Sequence, residues 1–341
     1  MNKTEDIFIL GIESSCDDTS CAVLKNNIIL SNVTATQSIH QQYGGVVPEL
    51  ASRDHQKHII PVVDGALKNA NISLTQLHSI AVTCGPGLSG SLLVGLSFAK
   101  SLSLALDIPL IEVNHMQGHI LAHLIADENQ HAPSFPFLCL TISGGHTQIV
   151  KITSPLEFKL LAETEDDAVG EAFDKAAKIL GLPYPGGPLI DKYAQLGDAT
   201  KYKFPTPHLK NNNYSFSGVK TAFLYFIQDG VKQNPNFIAE NLHDICASYQ
   251  AHLINYLLKN LIAVSNETGI KHIAIAGGVS ANSGIRKQLK VIGDKYKWQT
   301  YIPKFEYCTD NAAMIAITGY YKYLNNDFCE LDIVPKVRYE L

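Results

Sequence analysis

His115 and His119, in the run His115-Met116-Gln117-Gly118-His119, have the spacing that most directly implies chemistry in this chain. On a helix, residues four apart share one face and stand roughly 6 Å apart along the axis, close enough for two imidazoles to hold one metal ion. The plainer alternative is a pair of surface or capping histidines. His123 continues the same face, so a three-histidine set is a further candidate. A zinc protease of the His-Glu-x-x-His type needs Glu after the first histidine as general base, and Met116 holds that position here. Metal binding survives that comparison; zinc-protease chemistry does not. Far downstream, Tyr307-Cys308-Thr309-Asp310-Asn311 precedes a run of small residues. Thr309 or Asp310 is placed to cap a helix there. Asp310 could equally complete a His/His/Asp set with open coordination positions.

A second group of residues suits anions. The turns Glu13 to Ser20 and Ser143-Gly144-Gly145-His146-Thr147 are rich in hydroxyls or glycine, and Gly277-Gly278 opens a predicted helix. Such turns expose consecutive backbone N–H groups, and helix starts favour negative charge. The Gly277-Gly278 loop is not a G-x-G-x-x-G fingerprint, and no G-K-[ST] loop occurs, which disfavours dinucleotide-binding and P-loop folds. The acidic run Asp166 to Asp174 predicts one helical face carrying Asp167, Gly170, Glu171 and Asp174, usable for ribose hydroxyls or merely solvated. Pro183-Tyr184-Pro185-Gly186-Gly187-Pro188 then reads as a rigid loop before Asp191, either a linker or, given its place beside the acidic helix, one wall of a nucleotide pocket.

The elements that must position these residues recur. An apolar run from Ile7 to Ile12, a polar turn and a second run from Cys21 to Leu24 predict a hairpin. The pattern returns at Phe137 to Ile142 and Gln148 to Ile152, which implies an internal duplication. Strands are predicted at Ile80 to Thr83, Leu110 to Val113 and His272 to Ala276. Helices are predicted over Leu92 to Leu106, from His115 with Asn114 as its cap, and over Ala168 to Leu180. Three more are expected over Gly218 to Ile227, over Leu242 to Val264 and from about Ser283. Hairpins leading into βα units specify an α/β chain with mixed sheets and helices on their faces. The polar stretch Asp127 to Pro136 is the expected domain break.

Length and composition fit two domains: 341 residues, 46% hydrophobic and 17% charged. The apolar pattern begins at Ile7, which predicts no leader peptide. The stretch Leu88 to Val113 is broken by Lys100, Asp107 and Pro109, which argues against a membrane span and for a cytoplasmic protein. Seven cysteines without a C-x-x-C spacing read as reduced thiols, with Cys16 a minor candidate nucleophile. The net charge of −5 does not advertise a nucleic-acid binder, although Arg53/Lys57, Lys201/Lys203/Lys210 and Lys220 form local basic segments.

Together these segments resemble the TsaD family of tRNA threonylcarbamoyltransferases over nearly the whole chain. The carrying stretches are GIESSCDDTS from Gly11, NHMQGH from Asn114, SGGHTQ from Ser143 and EAFDKAAKILGLPYPGG from Glu171. FSGVKTA from Phe216, GGVSAN from Gly277 and CTDNAAMIA from Cys308 complete the set. His146 resembles the bacterial type. The resemblance implies an actin-like (sugar kinase/Hsp70) fold of two duplicated lobes. Residues 1–130, completed by about 310–341, would form the first lobe and 131–309 the second. It implies His115, His119 and Asp310 as ligands of one divalent metal, iron foremost, with zinc or magnesium as alternatives. His123 matches no family ligand. Thr141, Ile142, Ser143, Gly144, Gly145, Asp174, Gly187, Asp191 and Asn282 match its nucleotide and substrate contacts. No general base is identified; Glu13 is the one candidate offered.

The implied reaction moves a threonylcarbamoyl group from threonylcarbamoyl-AMP to the exocyclic amine of the adenosine 3′ of the anticodon, in tRNAs reading codons that begin with A. The implied partners are a TsaB-like paralogue and a TsaE-like ATPase, which would help an acidic chain to hold tRNA. Three other readings remain: a small-molecule kinase or ATPase of the same fold, a metallopeptidase disfavoured by Met116, and a nucleotide-binding scaffold.

Overall fold

The computed structural model of the chain describes residues 6–341 other than 129 and 208. The chain divides into two compact units. One comprises Met1–Pro133, Ser154–Glu157 and Pro303–Leu341, the other Ser134–Thr153 and Phe158–Ile302.

In the first unit, β1 (Phe8–Glu13), β2 (Asp18–Lys25) and β3 (Ile28–Thr36) form an antiparallel meander. β4 (Ser79–Gly85) lies parallel to β1, and β5 (Leu110–Asn114) parallel to β4, giving the order β3-β2-β1-β4-β5. β4 is buried along its whole length, as expected of a parallel strand covered on both faces. Three helices follow the strands in turn: α1 (Pro48–Ala70), α2 (Ser89–Leu106) and α3 (His115–Leu121). In the second unit, β6 (Phe137–Ile142) and β7 (Thr147–Ser154) are antiparallel, and β8 (Glu157–Glu163) lies beside β7. Before β9 (His272–Ala276) come α4 (Val169–Ile179), α5 (Gly187–Ala194), α6 (Ser217–Gln233) and α7 (Phe237–Thr268). α8 (Ser283–Tyr296) then leads to β10 (Gln299–Tyr301). The order β8-β7-β6-β9-β10 repeats that of the first sheet strand for strand. The duplication inferred from two hairpins therefore extends to five strands in each half.

The last helix, α9 (Ala312–Leu324), returns to the first unit and packs on β1, β2, β4 and β5. Its small residues make that approach close. A Cβ at Gly11 of β1 would fall 2.5 Å from the carbonyl oxygen of Ala312. The second unit has the larger aromatic core, with Phe173, Phe216, Phe223 and Tyr249 fully buried around α4, α6 and α7.

Several expectations need correction. α1 was not foreseen; Pro48 at its first turn is a start signal, but charged and polar residues from Arg53 to His58 hide its apolar face. α7 outruns the predicted Leu242 to Val264 at both ends. The Pro/Gly segment ends in a helix at Gly187, so Asp191 is helical rather than the residue after a loop. Asp167 precedes α4 and so does not share its face. α2 is the one helix among the described residues long and apolar enough to cross a membrane. It buries Leu92, Leu96 and Ala99 and packs against α1 and β4, as a core helix does.

Candidate functional site

In the first unit, three chain segments converge on His115. β5 ends at Asn114, whose side-chain oxygen accepts from the N–H groups of Met116 (2.9 Å) and Gln117 (3.3 Å) and so starts α3. The helix then places His115 and His119 one turn apart, ring centroids 4.7 Å from each other and planes at 87°. Asp310 arrives from the turn before α9. Its Oδ1 lies 3.4 Å from Nε2 of His115 and 3.3 Å from Nε2 of His119. The cap of α9 is Asn311, whose side chain accepts from Met314 N–H at 3.0 Å, not Thr309 or Asp310. Asp310 is thereby free to face the histidines.

This set fits a metal ion. The ligand atoms of His115, His119 and Asp310 all lie within 4.8 Å of one another. Donors bound at about 2.0–2.2 Å around one first-row metal stand roughly 3.0–3.5 Å apart, which matches the two Asp310 separations. Both nitrogens of buried His119 lack a hydrogen bond of acceptable geometry, and a buried polar atom normally has a partner. Behind His115, Glu13 Oε2 is 3.0 Å and Ser15 Oγ 3.2 Å from Nδ1. Burial alone would lower the pKa of His115, but the carboxylates of Asp310 and Glu13 hold it well above the ordinary histidine value. His119 is pushed down by burial. Burial would raise Asp310, yet the two imidazoles hold it far below the carboxylate range. Two carboxylates around one ring demand a positive charge there, as a proton or as a metal.

Glu13 has no accessible surface, and it accepts from Thr83 Oγ1 (2.6 Å) and from the Ser15 N–H. Its geometry is that of a group that orients His115. Met116 is buried, so no carboxylate stands where a protease would need one. His123 falls in a 3-10 turn, Ala122–Leu124, and outside the ligand trio. Burial pushes the Cys16 thiol far up, which leaves it protonated and not nucleophilic.

The second unit gathers the other predicted residues. Thr141 and Ile142 end β6 fully buried. Ser143 then turns the chain, its N–H donating to the His146 carbonyl oxygen (2.8 Å) and its hydroxyl oxygen accepting from the His146 N–H (3.0 Å). α4 and the end of β9 crowd this turn: a Cβ at Gly170 would meet the Ser143 carbonyl oxygen at 2.5 Å, and one at Gly277 the Ile142 oxygen at 2.4 Å. Gly144 and Gly145, by contrast, have open space on their Cβ side. Asp174 Oδ1 accepts from the N–H groups of Gly186 and Gly187, both at 2.9 Å. Burial raises its carboxyl, and those two donors offset the rise only in part. Asp191 accepts from Gln250 (2.9 Å) and from the Ser283 N–H and hydroxyl (2.9 and 2.8 Å). Asn282 caps α8 through Ile285 N–H (3.0 Å) and donates to Gln250 (2.7 Å).

Ser15, Thr83, Gln250 and Ser283 were not singled out from sequence. Ser15 stood within a hydroxyl-rich turn that was; Gln250, in mid-helix, carried no local signal. Of the basic segments, Lys203 and Lys210 are exposed without an ion pair among the described residues, while the others are paired. Arg53 pairs with Glu49 (2.7 Å), Lys57 with Asp54 (3.1 Å), Lys201 with Asp244 (2.7 Å) and Lys220 with Asp167. On and just after α8, however, Lys287, Lys290, Lys295 and Lys297 are exposed and have no ion pair among the described residues.

Comparison with known proteins gives the family of the chain. The family model described as TsaD, tRNA N6-adenosine threonylcarbamoyltransferase, matches residues 28–317. A protein of that name from Christiangramia forsetii is 61% identical, covering 98% of this chain and 99% of the relative. One from Cytophaga hutchinsonii is 56% identical over 99% and 97%, and one from Porphyromonas gingivalis 54% over 97% and 98%. Among solved structures, T. kodakarensis HypF superposes with a TM-score of 0.62 at 14% identity, over 96% of this chain and 49% of that one. Full-length HypF in a phosphate- and nucleotide-bound form gives 0.62 at 13%, over 93% and 46%. These two likenesses speak for the fold alone, and with the repeated strand order they establish it as actin-like. From the family match and from relatives that align end to end, the chain belongs to the TsaD family, the tRNA N6-adenosine threonylcarbamoyltransferases.

Proposed function

We infer that the chain transfers a threonylcarbamoyl group from threonylcarbamoyl-AMP to the exocyclic amine of the adenosine 3′ of the anticodon, in tRNAs reading codons that begin with A. The observation that carries the reading is the His115/His119/Asp310 set, with both histidines buried and Asp310 partly exposed, in a chain aligned end to end with transferases of that name. In the reaction the amine nitrogen forms a bond to the carbamoyl carbon, the bond from that carbon to the phosphate oxygen breaks, and AMP leaves while the amine loses a proton. AMP is a good leaving group and the amine a poor nucleophile, so positioning and charge stabilisation carry most of the catalysis.

The residues of each unit have separate tasks in this reading. A divalent metal held by His115, His119 and Asp310, iron foremost, would supply a Lewis acid and a template for substrate oxygen. Glu13 accepts the Nδ1 proton of His115 and leaves Nε2 as the donor atom. In the second unit, the Ser143-Gly144-Gly145 turn offers backbone N–H groups to the acyl or phosphate group, and Asp174, Gly187, Asp191 and Asn282 line the nucleotide side. The unpaired lysines of α8 supply positive charge for tRNA phosphates in a chain of net charge −5. A TsaB-like paralogue and a TsaE-like ATPase are the expected partners. Leu93 and Leu104, 53% and 70% exposed on α2, support a docking face there. A cytoplasmic location follows from the substrate.

The test is nucleoside mass analysis of tRNA after incubation with the protein, its partners and threonylcarbamoyl-AMP. The expected product is threonylcarbamoyladenosine in tRNAs of that codon class. Unmodified tRNA together with ATP consumed to phosphorylate a small molecule would favour a kinase of the same fold instead.

A further inference from the structure

The C-terminal segment of the first unit lies against the strand ends that launch the metal helix. The Lys336 N–H donates to the Cys84 carbonyl oxygen (2.7 Å), and the Gly87 N–H to the Val337 oxygen (3.3 Å). Lys336 Nζ pairs with Glu112 Oε2 (2.7 Å) and stands 4.2 Å from the centre of the Tyr339 ring, while the Tyr339 hydroxyl donates to Glu112 Oε1 (3.2 Å). The approach is close enough that a Cβ at Gly85 would fall 1.9 Å from the Lys336 carbonyl oxygen. Glu112 and Asn114 are two apart on β5, so they point to the same side of the strand. The Asn114 amide nitrogen completes the contact, donating to the carbonyl oxygens of Tyr339 (3.2 Å) and Glu340 (3.0 Å).

Every polar valence of the Asn114 side chain is thus divided between two tasks. Its oxygen starts α3, and its nitrogen is held by the tail. Hydrophobic burial does not explain the segment, because Val334 and Val337 are 64% and 54% exposed. What it retains are polar contacts, and these converge on the residue immediately before His115.

We propose that the C-terminal strap Lys336–Glu340 is a positioning element of the His115/His119/Asp310 site and acts through Asn114. It fixes the rotamer of the capping amide, and with it the first turn of the helix that presents both imidazoles. Released from the strap, the amide is free to turn away from Met116 and Gln117, and the two imidazoles lose their fixed separation from Asp310. The inference rests on the metal reading above.

The test uses the full chain, a variant ending at Pro335, Asn114→Ser and the two changes combined. Ser keeps a capping oxygen and has no donor that reaches the tail. Divalent-metal affinity is read by calorimetric titration, and α3 by amide hydrogen exchange. The expected result is metal affinity reduced about 10–100-fold in each single variant, the range for loss of a group that orients a ligand. Exchange at Met116 and Gln117 should accelerate, and AMP affinity should stay unchanged. The combined variant should lose little more than either single one, since both break the same link. Metal affinity and α3 exchange equal to the full chain in the truncated protein overturn the proposal, as does full additivity. If the full chain binds no metal at all, the metal reading has failed, and α3 exchange alone decides whether the strap orders the helix.

Discussion

Glu13 Oε2 stands 3.0 Å from Nδ1 of His115, a carboxylate with no accessible surface set behind a ring whose other nitrogen faces Asp310. The contact spans 102 residues of sequence and exists because β1 and β5 both flank β4 in one sheet. Burial pushes the Glu13 carboxyl up, and the charge and hydrogen bond of His115 bring it below its ordinary value. A ligand held in this way is more basic and has one tautomer. Glu13→Gln should therefore lower divalent-metal affinity about 10–100-fold while the far-ultraviolet circular dichroism stays native. Equal affinity in calorimetric titration would remove Glu13 from the site.

His115→Ala, His119→Ala and Asp310→Ala should each abolish stoichiometric metal and transferase activity without unfolding the chain. The Asp310 variant is the sharpest, because Asn311 keeps the cap of α9. Asn311→Ala is the matched control: it should cost about 1 kcal/mol of stability and retain the metal. His123→Ala should also retain it. Elemental analysis of the five proteins decides this, and full occupancy in the Asp310 variant would show that another residue is the third ligand.

Asp174→Ala and Asn282→Ala should weaken adenine-nucleotide binding by roughly 0.5–1.5 kcal/mol, or two- to tenfold, and leave metal content unchanged. The structure adds a complication, since Asp174 also holds the Gly186-Gly187 turn and Asn282 caps α8. Asn282→Asp separates the two roles, keeping an acceptor for the Ile285 N–H while losing the donor to Gln250. If its AMP affinity in calorimetry matches wild type while Asn282→Ala is weak, the residue serves the helix and not the ligand.

How much of this was legible in the sequence depends on the range of the signal. Asn114 as the cap of α3 and the strand His272–Ala276 were local patterns, and the structure reproduces both. The duplication was visible because a hairpin repeats as one short stretch, and the strand order extends it. Asp310 competed with Thr309 for a capping role on propensity alone. Only the position of α9 on the sheet shows that Asn311 took it. Asp191, Gln250 and Ser283 meet across three helices, and nothing local marks Gln250 within a 32-residue helix. The C-terminal strap was invisible for the same reason, because its contacts lie more than 220 residues from their partners on β5.

Acid should loosen the start of α6. Asp166 accepts from the N–H groups of Phe216 (2.7 Å) and Ser217 (3.3 Å) and from the hydroxyls of Ser215 and Ser217. Burial pushes its carboxyl up, but these donors outweigh that and hold it below the ordinary range. A carboxylate with a folded pKa below its unfolded value of about 3.9 contributes stability that is complete above that pH and is lost as pH falls through the folded value. Thermal unfolding midpoints of wild type should therefore fall more steeply between pH 5 and 3 than those of Asp166→Asn, with the variant the less stable at neutral pH. Parallel curves would mean that the four contacts are not made by the charged form.

The last prediction concerns tRNA. A chain of net charge −5 needs local cations to hold an RNA, and a share of its lysines is already paired with neighbouring carboxylates, Lys68 with Asp64 and Lys232 with Asp229 among them. Lys287, Lys290 and Lys297 are exposed and have no such partner among the described residues. An ammonium already beside a carboxylate gains little from a phosphate, whereas an unpaired one releases a condensed counterion when it binds. Each such contact contributes about 0.7–0.9 to the slope of log affinity against log salt. Replacing all three by Ala should therefore flatten that slope by about two to three and weaken tRNA binding uniformly across tRNA species. Metal content and AMP affinity should not move. Lys68→Ala and Lys232→Ala should leave the slope as it is. The lone chain should bind tRNA weakly at physiological salt and more tightly once its partners are added. Filter binding over a salt series measures all of this, and an unchanged slope in the triple variant would place the RNA contacts away from α8.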